Sequence, residues 1–374
     1  MSDVQLPEPD RIEGAPHPRE TPRLFGQTAA ERDFLDVFNS DRLHHGWLIT
    51  GPRGVGKATL AWRIARFLLA TPPADAGGGL FGDALPPPES LDISPDHPVA
   101  HRLLALSEPG LFLLRRGPNE KGDKLAHEIL VKEVRKLKNF FALSASDGGR
   151  RVVIVDAADE MNMNAANAIL KLLEEPPART TLLLISHQPS RLLPTIRSRC
   201  RELRLAPLSP EDMARALEQA TGNSHPTEAL AALSGGSVGE ALRMTNLGGL
   251  EMYAELVGLL DTLPRLDRQR ALRLADAAAT RGADTRLDLL IALFDILLSR
   301  LARTGAVGAP PSLQAAEGEA ALLMRLAPTP AAGRAWAETA EVVGARMRHG
   351  RAVNLDPAAL VLDTVFKISQ TAAG

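Results

Sequence analysis

Cysteine, long apolar runs and net charge are all scarce in this chain of 374 residues. Cys200 is the only cysteine, which excludes an internal disulfide and a zinc site built from several thiolates. No apolar run approaches the roughly eighteen residues of a membrane span, and the N-terminal stretch is polar and proline-rich rather than basic and then apolar. We therefore expect a cytoplasmic protein with no membrane partner. A net charge of −2 excludes a basic surface that binds nucleic acid as a whole, so any such contact needs a local patch.

The apolar residues that are present, 45% of the chain, suffice for two or three domains. Between about residues 24 and 206, short apolar runs alternate with helix-length amphipathic stretches. This alternation is typical of buried parallel strands in an α/β sheet. From about residue 207 onward the pattern has a helical period and predicts helices only. The runs that we interpret as strands are "GWLIT" (46–50), "LFLL" (111–114), "RVVIVD" (151–156), "TLLLIS" (181–186) and "RELRLA" (201–206).

The stretch "GPRGVGKATL" (51–60) has most features of a phosphate-binding loop. Such a loop needs glycines so that backbone N–H groups converge on the phosphates, a lysine for the β and γ oxygens, and a hydroxyl for the magnesium ion. Ala58 stands at the position of that hydroxyl, and Thr59 is turned away from it by roughly 100° on a helix. A glycine-rich turn without chemistry is the alternative. The candidate nucleotide contacts are Gly51, Pro52, Arg53, Gly54, Val55, Gly56, Lys57, Ala58 and Thr59.

Asp156 ends the run "RVVIVD" and is the candidate for the aspartate that helps to hold magnesium in P-loop ATPases. Asp159 and Glu160 follow closely, and either could be a displaced catalytic base. We interpret them instead as acidic residues at the start of the next helix, where the helix dipole favours negative charge.

Four segments are specific when they are taken together: "GPRGVGKATL", "VVIVDAADEMNMNAANAILKLLEEPP", "LLLISHQPSRLLPTIRSRC" and "LSGGSVGEAL". This combination resembles the clamp-loader branch of the AAA+ proteins, over about residues 20–245. "LLEEPP" and "SRC" are its most specific parts, since a phosphate-binding loop alone occurs in many kinases and transporters. The resemblance implies an α/β AAA+ P-loop domain with a parallel sheet, a small helical lid domain and an all-α collar domain.

These expectations divide the chain into four parts. A flexible arm over 1–22 precedes the P-loop domain over 23–206, which contains an irregular insertion at 71–110. A helical lid follows over 207–246, and the all-α oligomerisation domain occupies 250–374. Members of this family often carry a four-cysteine zinc module where the insertion lies, and the insertion has no cysteine. We therefore expect no zinc and no other metal.

The chain departs from the motor subunits of that family at three positions. The motors carry serine or threonine at position 58, glutamate at 157 and arginine at 239, whereas this sequence has Ala58, Ala157 and Gly239. Each departure removes a group that acts on the γ-phosphate or its metal. The resemblance therefore implies a site that no longer hydrolyses nucleotide and survives either as architecture or as a weak pocket for ATP or ADP.

Arg199, in "RSRC", matches the family arginine that reaches into the ATP site of a neighbouring subunit. There a guanidinium can stabilise the charge that develops on the transferred phosphoryl group. We expect Arg199 to act as this arginine finger and Arg197 to be structural. A solvated or ion-paired arginine is the alternative for Arg199.

Lys132, Arg135 and Lys136 are spaced to lie on one face of a predicted helix. The resemblance places this helix near the chamber that holds primed DNA, and contacts to phosphates need only positioned cations. A solvated basic helix face is the alternative interpretation.

The resemblance implies a non-hydrolysing clamp-loader subunit of a replicative DNA polymerase holoenzyme. Its partners would be the motor subunits, the delta subunit, the sliding clamp, and primed DNA within the assembly. An active ATPase motor of the same family is the alternative, with Asp159 or Glu160 in the role of the missing glutamate. An unrelated P-loop enzyme such as a small-molecule kinase is a third possibility, against which "SRC" and "LLEEPP" argue.

Overall fold

The computed structural model describes residues 8–71, 86–119, 121, 123–143, 149–280 and 284–374. The chain forms two compact units. The first consists of Met1–Ser224 together with the short segment Ser237–Gly239, and the second consists of His225–Gly236 and Glu240–Gly374. The predicted division into arm, P-loop domain, lid and collar stays a prediction.

The first unit is built on a parallel sheet of five strands in the order β2-β3-β4-β1-β5. β1 and β4 are buried along their whole length, as expected for central strands covered by helices on both faces. The predicted α/β class is therefore confirmed. The strands are β1 (Gly46–Thr50), β2 (Leu111–Arg115), β3 (Arg151–Asp156), β4 (Thr180–Ile185) and β5 (Arg201–Arg204).

Several helices of the first unit pack apolar faces against this sheet. In α5, Ala165, Ile169 and Leu173 recur at every fourth residue and are all buried. In α7, the N-cap Ser209 accepts a hydrogen bond at its side chain from the Asp212 N–H. The helices are α1 (Thr28–Asn39), α2 (Lys57–Ala70), α3 (Pro98–Leu104), α4 (Val131–Leu143), α5 (Met163–Glu174), α6 (Pro194–Arg197) and α7 (Pro210–Thr221).

The insertion at 71–110 is less irregular than the sequence predicted, because α3 lies within it. The His97 side chain caps this helix by accepting from the Val99 N–H, and Pro98 occupies the first helical position. The prediction placed too much weight on the proline and glycine content of the segment. Residues 72–85 of the insertion lie outside the described residues.

Residues 8–22 are also more ordered than the predicted flexible arm. The His17 ring is fully buried against Trp62 of α2, and its Nε2 lies 3.0 Å from an Asp10 oxygen. Asp10 also accepts from Arg115 at the end of β2, and Glu8 accepts from Arg19 at 2.7 Å. Charges in such a partly buried position need partners, and the segment 8–22 supplies the acidic partner for Arg115. Residues 1–7 lie outside the described part of the chain.

The second unit contains helices only in its described residues, in agreement with the predicted all-α character of 250–374. The long helices α12 and α14 approach closely: a Cβ on Gly305 would lie only 2.6 Å from the Gly333 Cα. α12 ends at Val307, and the next residue, Gly308, has φ of +77°. The helices are α8 (Thr227–Ser234), α9 (Val238–Leu247), α10 (Gly249–Asp261), α11 (Arg268–Ala278), α12 (Asp284–Val307), α13 (Glu319–Leu326), α14 (Pro330–Ala352) and α15 (Pro357–Ala373).

Candidate functional site

The predicted phosphate-binding loop connects β1 to α2, as such a loop must. Gly51, Gly54 and Gly56 all have φ between +77° and +138°, a conformation that residues with a side chain rarely adopt. The backbone N–H groups of Gly54 and Gly56 donate no hydrogen bond to any described residue. The loop amides therefore fit an anion at the N-terminus of α2. Ala58 and Thr59 are half-buried in the first turn of that helix.

Lys57 is folded back onto the loop. Its Nζ donates to the Gly51 carbonyl at 2.7 Å and also to the Pro52 carbonyl, and the side chain is almost fully buried. Burial lowers the pKa of Lys57 to about 8, and the nearby carboxylates of Asp156 and Asp159 oppose that shift. The amino group that would contact a phosphate is thus held by the chain's own carbonyl oxygens.

Asp156 lies at the carboxyl end of β3, where the sequence placed it. Burial, together with the negative charges of Asp10 and Glu160, raises its pKa to about 7, while Lys57 and Arg53 oppose the shift. At neutral pH this carboxyl is therefore partly protonated.

We expect Asp156→Asn to stabilise the protein above pH 7. A pKa raised in the folded state contributes stability that is present below the unfolded pKa and is lost as the pH rises through about 7. The wild-type protein should therefore lose stability between about pH 4 and 7, and the variant should lose less of it. Urea denaturation at pH 5 and pH 8 measures this, with a gain of about 1–3 kcal/mol expected at pH 8.

Asp159→Asn is the control for that experiment, because each oxygen of the Asp159 carboxylate accepts a hydrogen bond from a backbone N–H. Asp159 accepts from the backbone N–H of His187 at 2.9 Å and of Gln188 at 3.2 Å. Losing the charge on this acceptor should destabilise the protein at both pH values. If the Asp156→Asn protein is less stable than the wild type at pH 8, the pKa of Asp156 is not raised in the folded protein.

Asp159 and Glu160, the two candidates for a displaced catalytic base, both bond to other residues of the chain. Asp159 holds the turn after β4, and Glu160 pairs with Arg116 at 2.8 Å and, more distantly, with Arg53. Both lie in the first turn of the short 3-10 helix Ala158–Glu160, which is the next helical element after β3 and precedes α5. Ala157 is buried between them and Asp156, and has no group that could polarise a water molecule.

The segment Ser237–Gly239 lies against the phosphate-binding loop, within the first unit. The Gly239 N–H donates to the Gly54 carbonyl at 3.2 Å, and the Ser237 hydroxyl donates to the Arg53 carbonyl at 2.8 Å. A Cβ on Gly239 would lie 2.9 Å from the Ile12 Cδ1 and 3.0 Å from the Gly54 Cα. The position at which the resemblance expects a motor's arginine therefore has no room for a side chain.

We expect Gly239→Ala to destabilise the protein by about 1–3 kcal/mol, because the added methyl group must displace Ile12 or the loop backbone. Gly149→Ala is the matched control, since no atom lies within 4 Å of its would-be Cβ and it also lacks a positive φ. Urea denaturation of the two variants measures the difference. Equal stabilities would show that the packing around Gly239 is loose.

Two buried polar residues directly follow the last residue of β4. Ser186 is fully buried, and its Oγ has no partner among the described residues. The His187 ring is also largely buried, and burial together with Lys57 lowers its pKa to about 4. Both follow β4, so a search of the strand ends would have found them. The charges of Lys57 and Asp159 both act on the His187 ring.

Arg199 lies in the turn between α6 and β5. Its Nη1 donates to the Thr195 carbonyl at 3.1 Å, and its Nη2 lies 3.0 Å from a Glu174 oxygen. The side chain is 38% exposed, so that the guanidinium is available to a molecule outside the chain. Arg197, expected to be structural, is exposed and has no side-chain partner in the described part of the chain. Burial raises the pKa of the neighbouring Cys200 thiol to about 12, which makes it unreactive at neutral pH.

The three candidate DNA contacts all lie on α4 and are all exposed. Lys132 Nζ donates to the Pro118 carbonyl at 3.3 Å, and Lys136 pairs with Glu133 one turn away. Arg135 has no partner among the described residues. Among the described residues, Arg135 is thus the one of these three side chains without a bonded partner. Contact with DNA stays a prediction.

A search of the described residues finds no group of three or more potential metal ligands. The same residues include no helix that is both long and apolar enough to cross a membrane. The expectations of a zinc-free protein and of a cytoplasmic location stay predictions.

Solved structures align with large parts of the chain. A DNA polymerase III gamma subunit-related protein from Thermotoga maritima aligns over 91% of this chain and 100% of its own, with 16% identity and a TM-score of 0.37. The RuvB Holliday junction branch migration motor of the same organism aligns over 77% of this chain and 78% of its own, with 15% identity and a TM-score of 0.38.

Proteins found by sequence have a higher percentage identity to this chain than these solved structures have. The family model described as DNA polymerase III, delta subunit, matches residues 97–209. The DNA polymerase III subunit delta' of Pseudomonas aeruginosa is 42% identical over 57% of this chain and 59% of its own length. The corresponding subunit of Escherichia coli is 34% identical over 55% of this chain and 56% of its own. Each of these matches spans less than two thirds of the relative. Over these residues the chain is similar to the delta' subunits of DNA polymerase III.

Proposed function

We propose that this chain is a clamp-loader subunit that does not hydrolyse ATP and that supplies Arg199 to the ATP site of a neighbouring subunit. Similarity to delta' subunits of DNA polymerase III supports the clamp-loader role. Relatives named as gamma and tau subunits of DNA polymerase III support assembly with subunits of those kinds. The further partners would be the delta subunit, the sliding clamp and primed DNA.

The bonds that Asp159 and Glu160 make to other groups of the chain carry the non-hydrolysing part of this proposal. Asp159 is bonded to two backbone amides and Glu160 to Arg116, while Ala157 has no polar group. Attack by water on a γ-phosphate needs a residue that orients the water and a metal that bridges the phosphates. The alternative of an active motor would require Asp159 or Glu160 to leave these partners.

Weak binding of ATP or ADP is compatible with this proposal. The amides of the loop would hold phosphate oxygens at the N-terminus of α2, and Lys57 would have to release the Gly51 and Pro52 carbonyls to join them. Ala58 lacks the hydroxyl that binds magnesium in such loops, so that this loop offers the metal no side-chain ligand at that position.

The collar role of the C-terminal helices is a further part of the proposal. A subunit that hydrolyses nothing acts only within an assembly, and the helical region 250–374 is the expected oligomerisation surface. Its exposed apolar side chains include Val342, Val353, Leu355 and Phe366, which are between 47% and 53% exposed. Exposed apolar residues of this kind are available to a partner.

We expect the purified chain to show no magnesium-dependent ATP hydrolysis above the enzyme-free rate, because metal hydroxyl, water-orienting carboxylate and small-domain arginine are missing together. The measurement is steady-state phosphate release, for the wild type and for Lys57→Ala. The two proteins should give the same background rate. Turnover that depends on magnesium and disappears in Lys57→Ala would identify the chain as an active motor instead.

A further inference from the structure

Arg199 is held at two points by its own chain before any neighbour is present. One point is the Thr195 carbonyl at 3.1 Å, at the α6 turn, and the other is the Glu174 carboxylate at 3.0 Å, at the last residue of α5. These bonds use two of the five N–H groups of the guanidinium. Three N–H groups therefore remain for a phosphate while the orientation of the side chain is already fixed.

Both anchors stand on rigid parts of the first unit. Leu173, next to Glu174, is buried in the core, and its carbonyl accepts from His45 at 2.9 Å. Ile196, one residue after Thr195, is fully buried, and the Arg199 N–H donates to the Ile196 carbonyl at 3.1 Å. The backbone at both anchor residues is therefore fixed by the core.

The position of Glu174 is unfavourable for the helix that carries it. α5 ends at Glu174, and Glu175 is its C-cap, so two acidic residues lie at the negative end of the helix dipole. Such residues cost helix stability, typically by a few tenths of a kcal/mol or more. Glu174 is also exposed, so that its ion pair with Arg199 adds little to stability. Stability of the fold thus does not account for an acid at this position.

We propose that Glu174 is a positioning residue for Arg199, which it holds in the orientation that a neighbouring ATP site receives. This inference rests on the proposed arginine-finger role. A guanidinium that is already oriented loses less side-chain entropy when the transition state forms, and this advantage appears in turnover rather than in ATP binding. Glu174 itself contacts no phosphate.

The test compares Glu174→Ala with Glu175→Ala in the reconstituted clamp loader, with clamp and primed DNA added. Glu174→Ala should lower turnover at the one site that receives Arg199 by about two- to five-fold, which is the effect that an exposed ion pair supports. The stimulated rate of the whole complex should therefore fall, but by no more than in Arg199→Ala, and KM for ATP should not change. Glu174→Gln, which keeps one acceptor oxygen, should recover part of the rate. Glu175→Ala should leave the rate at the wild-type value.

Combining the substitutions separates this inference from the function on which it rests. In an Arg199→Ala complex, Glu174→Ala should have no further effect, because a positioning residue has nothing left to position. A further loss in that background would mean that Glu174 acts by another route. A normal or faster rate for Glu174→Ala alone would overturn the positioning role and leave the finger intact. A normal rate for Arg199→Ala alone would overturn the finger itself.

Discussion

Arg300→Ala is expected to lower the free energy of unfolding by about 3–5 kcal/mol, since it leaves a buried carboxylate without its counter-charge. Glu319 is completely buried in the second unit, at the start of α13. It accepts from Arg300 Nε at 2.6 Å, from the Tyr253 hydroxyl at 2.6 Å and from the Ala315 N–H at 2.7 Å. Arg300 also donates to the carbonyls of Leu313 and Ala232, which would lose a donor.

Urea denaturation measures this loss, and Arg346→Ala is its control. Arg346 also pairs with an aspartate, Asp363, but both side chains are about half exposed, and such a pair contributes less than about 1 kcal/mol. The double variant Arg300→Met with Glu319→Leu should recover much of the loss, because it removes the charge together with its partner. A loss below about 1 kcal/mol for Arg300→Ala would mean that water reaches Glu319.

The strands and most helices of the first unit could be predicted because their signals are local. "GWLIT" and "RVVIVD" are apolar over the length of one strand, and the N-cap at Ser209 lies within three residues of its partner. The helix α3 has a local signal too, in His97 and Pro98, but the prolines and glycines around it obscured this signal.

The partners of charged residues could not be predicted in the same way, because they are distant in sequence. Asp159 bonds the amides of residues 28 and 29 positions later, and Arg115 pairs with Asp10, which lies 105 positions earlier. Glu319 resembles an ordinary acidic helix start until the structure places Arg300 beside it. The sequence alone shows that the nucleotide site lacks functional side chains at Ala58, Ala157 and Gly239. It does not show the contacts that Lys57, Asp159 and Glu160 make within the chain.

Arg199→Ala is expected to have the largest effect on activity, and the effect should appear only in the assembled clamp loader. An arginine finger typically contributes about 10³–10⁵ to turnover at the site that it completes. Clamp- and DNA-stimulated ATP hydrolysis should therefore fall by the share of that one site, or by more if the sites of the assembly fire in sequence. The exposed guanidinium contributes little to folding, so that stability and assembly should not change.

The companion variants of Arg199 make this result specific to the guanidinium at one position. Arg199→Lys should recover little, because an ammonium cannot reach both the Thr195 carbonyl and Glu174 while it contacts a phosphate. Arg197→Ala removes an exposed arginine two residues earlier and should leave the stimulated rate unchanged. If Arg199→Ala also leaves the rate unchanged in a correctly assembled complex, the ion pair with Glu174 is a surface contact of this chain alone. The subunit would then act on its neighbours through its shape rather than through the chemistry of Arg199.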